Sequence, residues 1–323
     1  MGNVVDRLKV IVFIALVITI SCSGTPLLAA ATSPERTIVI LTESNRAISK
    51  TLGKHLATNL QLLSNQFQVE VIEDFAGKLE STDSLVVTVG QVPLQRLLAS
   101  GYQGAYLATL ITPLEYQTLM SAAPNAKGAA IYHQAPILRQ MLLFKELYPK
   151  GRRVGILISP EEQGKIDTLQ ALALKVNLIL EYEVVAEPES LSKSLLKLIN
   201  RTDAIIATND NKIYNRSTIK SILLTLYRHN KFLLGADKNF IKPGSVATTY
   251  TTMQQLLDEV VDAINFYFSH NSQLPSTHFS KRFSVSFNND VARSLNLVVR
   301  KESHYTDIIQ ATEINFGGVD VYE

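Results

Sequence analysis

The chain of 323 residues contains one cysteine, Cys22. An intrachain disulfide and a cysteine-built metal site are therefore both excluded, and a hydrophobic core has to carry the fold. An excess of one charge is missing as well, since 31 Lys and Arg stand against 29 Asp and Glu. No basic run reaches a nucleic-acid footprint, so nucleic acid is a poor partner. The densest cationic cluster, Lys150 to Arg153, reads as a solvated link between a helix and a strand. Catalytic fingerprints are also missing. There is no G-x-G-x-x-G after the first strand, no P-loop and no nucleophile elbow, so nucleotide and α/β-hydrolase chemistry lack their usual carriers. His133, His229, His270, His278 and His304 are far apart and do not have metal-ligand spacing. The expectation is a binding protein without catalytic residues, metal or cofactor.

A long apolar run is absent too. Arg7 and Lys9 flank a short apolar core, Val10 to Ile20, whereas a spanning helix needs roughly 20 apolar residues. Residues 1–31 therefore read as an export signal, and two cleavage modes compete. Ala29-Ala30-Ala31 fits the small-x-small rule and would release a soluble protein. Ile20-Ser21-Cys22-Ser23 resembles a bacterial lipobox, with Cys22 as the candidate lipidation site, although Thr19 stands where that motif usually has Leu. The protein is placed in the periplasm or at the outer face of a membrane, and would touch lipid only through such an anchor.

The remaining chain, about 290 residues, is long enough for a large core and exceeds one typical domain. It alternates short apolar runs with helix-length segments. RTIVILT (36–42), FQVEVI (67–72), SLVVTV (84–89), a run within 101–109, and GAAIY (128–132) form a first series of strands. VGILISP (154–160), 178–185, 204–207, FLLGAD (232–237) and SVATTY (245–250) form a second. Apolar strands between helices argue for parallel sheets covered on both faces. The fold class is α/β, as two doubly wound parallel-sheet lobes facing a central cleft. The first lobe is expected at 34–132 and 251–278, the second at 133–250 and 279–302. Residues 303–323, weakly periodic and broken by Gly317-Gly318, are expected as a tail.

Ligands of such sheets gather outside the carboxyl ends of the strands. Asn209 and Asp210 follow one strand and Asp237 ends another. In a closed cleft their carboxylates would pair with an ammonium group. Capping of the next turn is the competing role for both acids. Gln91 and Thr112 stand at strand ends of the first lobe, and Thr112 is also a natural cap before Pro113. His133 and Gln134 lie where the chain crosses between lobes. Tyr250, with Tyr214, offers a ring face to a planar or apolar ligand.

Taken in order, Gly128 to Pro160 with LYPKGRRVGILISP, then DAIIATNDNKIYN, FLLGADKNFIKPGSVATTYTT and RFSVSFNNDVARSLNL, resemble one family. It is the periplasmic substrate-binding proteins of ABC transporters, of the tryptophan- or amino-acid-transport-like kind, with the type I periplasmic-binding fold. The resemblance covers most of the chain after residue 31 and is clearest from His133 to Leu297. It implies two lobes joined by three crossovers that close over a small-molecule solute, and an inner-membrane ABC permease as partner. It also implies ligand contact at Gly90 with Gln91, at Asn209 with Asp210, and at Asp237. The chain departs from the family pattern at Gln91, where a small hydroxyl residue is usual. It departs again at His133-Gln134-Ala135-Pro136, which replaces a Gly-rich crossing. The second departure suggests a branch whose members need not serve a transporter. The alternative is thus an envelope sensory or partner-binding lipoprotein on the same fold.

Overall fold

The computed structural model of the protein describes residues 36–63, 67–79 and 82–315. The export signal and Cys22 lie outside the described residues, and among those described no helix is long and apolar enough to cross a membrane. The chain opens with β1 (Arg36–Thr42), α1 (Ala47–Leu63), β2 (Phe67–Glu73), β3 (Leu85–Val89), α2 (Gln91–Ala99), β4 (Tyr106–Thr109), α3 (Pro113–Ala122) and β5 (Gly128–Tyr132). It continues through α4 (Ile137–Leu147), β6 (Arg153–Ile158), a 3-10 turn at 160–165, α5 (Ile166–Lys175), β7 (Ile179–Val184) and α6 (Leu191–Ile199). Next come β8 (Ala204–Ile206), α7 (Ile219–Arg228), β9 (Phe232–Leu234), β10 (Ala247–Tyr250) and α8 (Met253–Ser269). The last elements are β11 (His278–Phe279), β12 (Ser284–Phe287), α9 (Asn289–Ser294) and α10 (Glu302–Asn315).

Two six-stranded sheets result, ordered β11-β5-β4-β3-β1-β2 and β12-β10-β9-β8-β6-β7. The pairs β1–β3, β3–β4, β4–β5, β5–β11, β6–β7, β6–β8, β8–β9 and β9–β10 are parallel, and β10 with β12 is antiparallel. The run LVVTV of β3 is buried at every position because β1 and β4 flank it and helices cover both faces. On α1, Leu52, Leu56 and Leu60 form the buried stripe that closes one face of the first sheet. Two helix starts carry full capping boxes. Thr112 and Glu115 exchange bonds at α3, and Thr252 and Gln255 do so at α8. Both starts follow a strand exit, so the caps also set where the polypeptide leaves each sheet.

The chain passes from the first sheet to the second after β5, returns after β10, and passes again between β11 and β12. Two expectations need amendment. The boundary between lobes expected at 278/279 falls inside β11, an edge strand of the first sheet. There Phe279 pairs with Tyr132 and packs at 5.1 Å between ring centroids. Phe279 therefore belongs to the first sheet, not the second lobe. Residues 302–315 are not a loose tail. Tyr305 and Ile309 are buried in the core of the second lobe, and α10 packs on α4 and β12. The third position of that stripe is Glu313, buried against Arg139 at 2.7 Å. A carboxylate where a hydrophobe is expected weakens the helical pattern, and only the burial of Arg139 on α4 explains it.

Candidate ligand-binding site

At the carboxyl edge of the second sheet lies a cavity of about 250 Å³. Its walls are the exits of β6, β8 and β9, with the 3-10 turn and the start of α5. Thr112 to Leu114 at the head of α3, with Gln134 and Ala135 of the first crossing, close it from the side of the first sheet. The volume lies near the lower bound of ordinary ligand pockets, about 300 Å³, and suits a small solute.

Four of the residues singled out in the sequence meet here: Thr112, Gln134, Asn209 and Asp210. Their chemistry differs from expectation. Asp210 is already engaged, with Oδ2 accepting from the Ser159 amide at 2.9 Å and Oδ1 from the Lys212 amide at 3.0 Å. It ties the loop after β8 to the loop after β6, so its first role is to shape the wall. Thr112 spends its hydroxyl on the Glu115 amide as the α3 cap. Buried Gln140 holds Thr249 through both ends of its amide, accepting from the backbone N–H and donating to the carbonyl, each at 3.3 Å.

Two features of the cavity were missed. Thr208 precedes Asn209, and its Oγ1 is buried without a hydrogen-bond partner among the described residues. A buried hydroxyl left unpaired costs free energy unless a water or ligand satisfies it. Glu162 and Lys165 also line the cavity, 3.1 Å apart on the 3-10 turn. They supply one charge of each sign to the wall. Their three-residue spacing is visible in the sequence, but it does not by itself say that the turn faces a cavity.

Gly90, Gln91, His133, Asp237 and Tyr250 do not line this cavity. Gly90 stands at the exit of β3 with φ 115°, a conformation that favours glycine. A Cβ there would come within 2.8 Å of Glu43 Oε1 and 3.4 Å of an Arg46 nitrogen. Ser49 secures this corner by donating to the Val89 carbonyl at 2.5 Å and accepting from the Glu43 amide at 3.1 Å. Gln91 is the first residue of α2. His133 Nδ1 is buried and has no hydrogen-bond partner among the described residues. Burial and then the Arg46 charge hold its imidazole below the usual histidine range, while Glu115, the Ile111 carbonyl and Asp237 pull it the other way. Charges of both lobes thus act on the one side chain of the first crossing. Asp237 caps the turn at 238–240 by accepting from the Asn239 amide at 2.7 Å, which is its competing role. Tyr250 carries the Lys238 ammonium 4.9 Å above its ring. Tyr214 is core: it is buried and packs on Phe240 at 6.1 Å. Among the described residues no group of His, Cys, Asp and Glu is placed to hold a metal ion.

Among curated proteins, none matches the chain by sequence. Solved structures do match in fold. A substrate binding protein with adhesive properties from Clostridium difficile, in a ligand-free open form, aligns with TM-score 0.64 at 11% identity, over 82% of this chain and 96% of its own. An ABC domain from Streptococcus pneumonia in complex with L-Trp aligns with TM-score 0.52 at 15% identity, over 83% of this chain and 96% of its own. A conserved domain protein from Vibrio cholerae gives TM-score 0.52 at 13% identity, over 83% and 96%. Residues 119–260, which hold most of the cavity wall, match the family described as ABC transporter substrate binding protein. That segment, less than half of the chain, is similar to the ABC transporter substrate-binding protein family, and it lies within a frame of two parallel-dominated sheets of the type I periplasmic-binding kind.

Proposed function

We propose that the protein is the exported solute-binding component of an ABC-type transport system, holding a small, polar, amino-acid-like ligand between its lobes. The observation that carries this reading is the cavity at the carboxyl edge of the second sheet, to which the first lobe and the first crossing also contribute residues. Its wall offers an unspent buried hydroxyl at Thr208 and a carboxylate and an ammonium at Glu162 and Lys165. That set complements a zwitterion with a hydrogen-bonding group. Because residues of both lobes wall the cavity, closing the lobes would remove water from the ligand and strengthen each polar contact. Ligand binding would then shift the population toward a closed form that docks on an inner-membrane permease. No bond is made or broken in this reading.

The test is a thermal-shift screen of the ligand-free protein against amino acids, nucleobases, polyamines, oligopeptides and sugars. A ligand at about 100 times its dissociation constant adds roughly 2.7 kcal/mol, a rise of several degrees for a protein of this size. The hit is expected among amino acids, and Thr208→Val should weaken it about ten-fold. Silence across the panel, or a hit whose affinity is the same in Thr208→Val and Lys165→Met, would overturn the assignment of this cavity.

A further inference from the structure

A different surface stands out on the second lobe. Helices α6 and α7 pack side by side over one face of the second sheet and share a core cluster there. Their outer faces are cationic. From Ser190 to Thr202 and from Asn211 to Ala236 the sequence contains no Asp or Glu, whereas Lys193, Lys197, Arg201, Lys212, Arg216, Lys220, Arg228 and Lys231 fall within those stretches. The carboxylates of the neighbouring edge strand, Glu181 and Glu183, are taken by Arg153, Lys197 and Arg201. Glu187 and Glu189 stand at the approach to α6. Lys212 pairs with Glu161, and Lys231 donates to the Thr202 carbonyl. Among the described residues, Arg216, Lys220 and Arg228 have no carboxylate within 4.0 Å.

Apolar side chains stand among these cations. On α7, Lys220, Leu224, Tyr227 and Arg228 follow helical spacing on the outer face, with Leu224 50% and Tyr227 60% exposed. Leu196 on α6 is exposed to 41%. Single exposed hydrophobes are ordinary. Leu and Tyr set among unpaired Lys and Arg are the composition of a helix lying at the headgroup level of a bilayer. The chain as a whole has a formal net charge of only +2, so this concentration belongs to one face and not to the protein at large.

We propose that the α6/α7 face is a docking surface for an anionic phospholipid bilayer. The cations would lie against lipid phosphates while Leu224 and Tyr227 enter the interface. Charge complementarity favours a bilayer, and the exposed Leu and Tyr favour it over a nucleic acid, whose backbone offers them no apolar layer. The face is distinct from the ligand cavity, so this inference does not depend on the solute-binding reading.

The experiment is flotation of the full chain with vesicles of phosphatidylcholine alone or with about one third phosphatidylglycerol. The R216E/K220E/R228E variant keeps the N-terminal segment with Arg7 and Lys9, so comparing it with the parent chain separates the face from any binding by that segment. The anionic vesicles are expected to retain the protein at least about ten-fold better at about 0.05 M salt, with the difference fading toward about 0.3 M. R216E/K220E/R228E should abolish the difference, and L224S/Y227S should reduce it, with both variants melting as the parent chain does and binding the same solute. Equal retention on both vesicle types would overturn the proposal. So would an anionic preference unchanged in the charge-reversal variant, or capture by an acidic protein or by DNA with none by vesicles.

Discussion

The two lobes share a plan of six strands and covering helices but use the acids at their strand exits differently. The first lobe keeps charge there. Glu43 and Arg46 crowd Gly90, and Ser49 pins the corner to β3. The second lobe has already spent its acids on backbone amides at Asp210 and Asp237, and leaves a neutral hydroxyl, Thr208 Oγ1, without a partner. A carboxylate in a loop is therefore weak evidence for ligand contact, because nearby amides can take it first. An unpaired buried hydroxyl points more directly to a missing partner.

The same contrast holds behind the cleft. In the second lobe, Arg139 is fully buried, its Nε donates to Glu313 at 2.7 Å, and its guanidinium lies 4.2 Å from the centre of the Phe283 ring. In the first lobe, Glu259 meets His278 and Arg282, each at 3.2 Å, and Arg282 is 40% exposed. Burial makes the loss of one partner costly, while water softens the other case. The largest effect is thus expected from Glu313→Ala, which strands the Arg139 charge. It should cost about 3–5 kcal/mol in denaturant unfolding. If it matched the cost of Asp262→Ala at the solvent-facing end of the Arg282 network, the contrast between lobes would fail.

Gly90→Ala comes next. Positive φ and the contact with Glu43 together should cost about 1–3 kcal/mol, measurable as a lowered melting temperature. Pairing it with Glu43→Ala should recover the part that is contact, leaving the part that is backbone strain. Thr208→Val in the second lobe should instead leave the ligand-free protein as stable or up to about 1 kcal/mol more stable, since it removes an unsatisfied hydroxyl. Destabilisation by that variant would mean the hydroxyl has a partner.

The smallest effects are those of pH. The folded value for His133 is held below the ordinary 6.5 by burial and Arg46. The unfolded chain therefore binds the extra proton first, and stability should fall as pH drops below 6.5. Burial alone would raise the Glu259 carboxyl, but His278, Arg282 and Lys281 outweigh it and hold the group below its ordinary 4.5. Its contribution is present above 4.5 and is lost as pH falls below that value. Melting curves of His133→Gln from pH 6.5 downward, and of Glu259→Gln below pH 4.5, should flatten the upper and lower parts of the acid limb respectively. An unchanged curve in either variant removes that group from the comparison.

Much of the fold was legible in the sequence because buried parallel strands are written as continuous apolar runs and their helices as apolar stripes. The strands at 36–42, 85–89 and 128–132 lie where the pattern places them. The two-residue strand β11 was not legible, since two positions cannot show alternation and its place comes from pairing with β5. Nor was α10, whose stripe ends on Glu313. At the site, Thr112, Asn209 and Asp210 were found by the rule that ligands gather at strand exits, and Gln134 by its place at the first crossing. Thr208 was missed because whether a threonine is satisfied is decided by its neighbours and not by its own type.

The sequence by itself determined the two α/β series, the strand exits at which polar loops occur, and the balance of charge. These depend on local periodicity and composition. Only the tertiary structure decided which loops share a cavity, since Thr112, Gln134, Lys165 and Thr208 meet through two sheets and a crossing. It alone decided which polar atoms remain unspent there, because hydrogen bonding and desolvation depend on three-dimensional proximity and burial, and the residue order records neither.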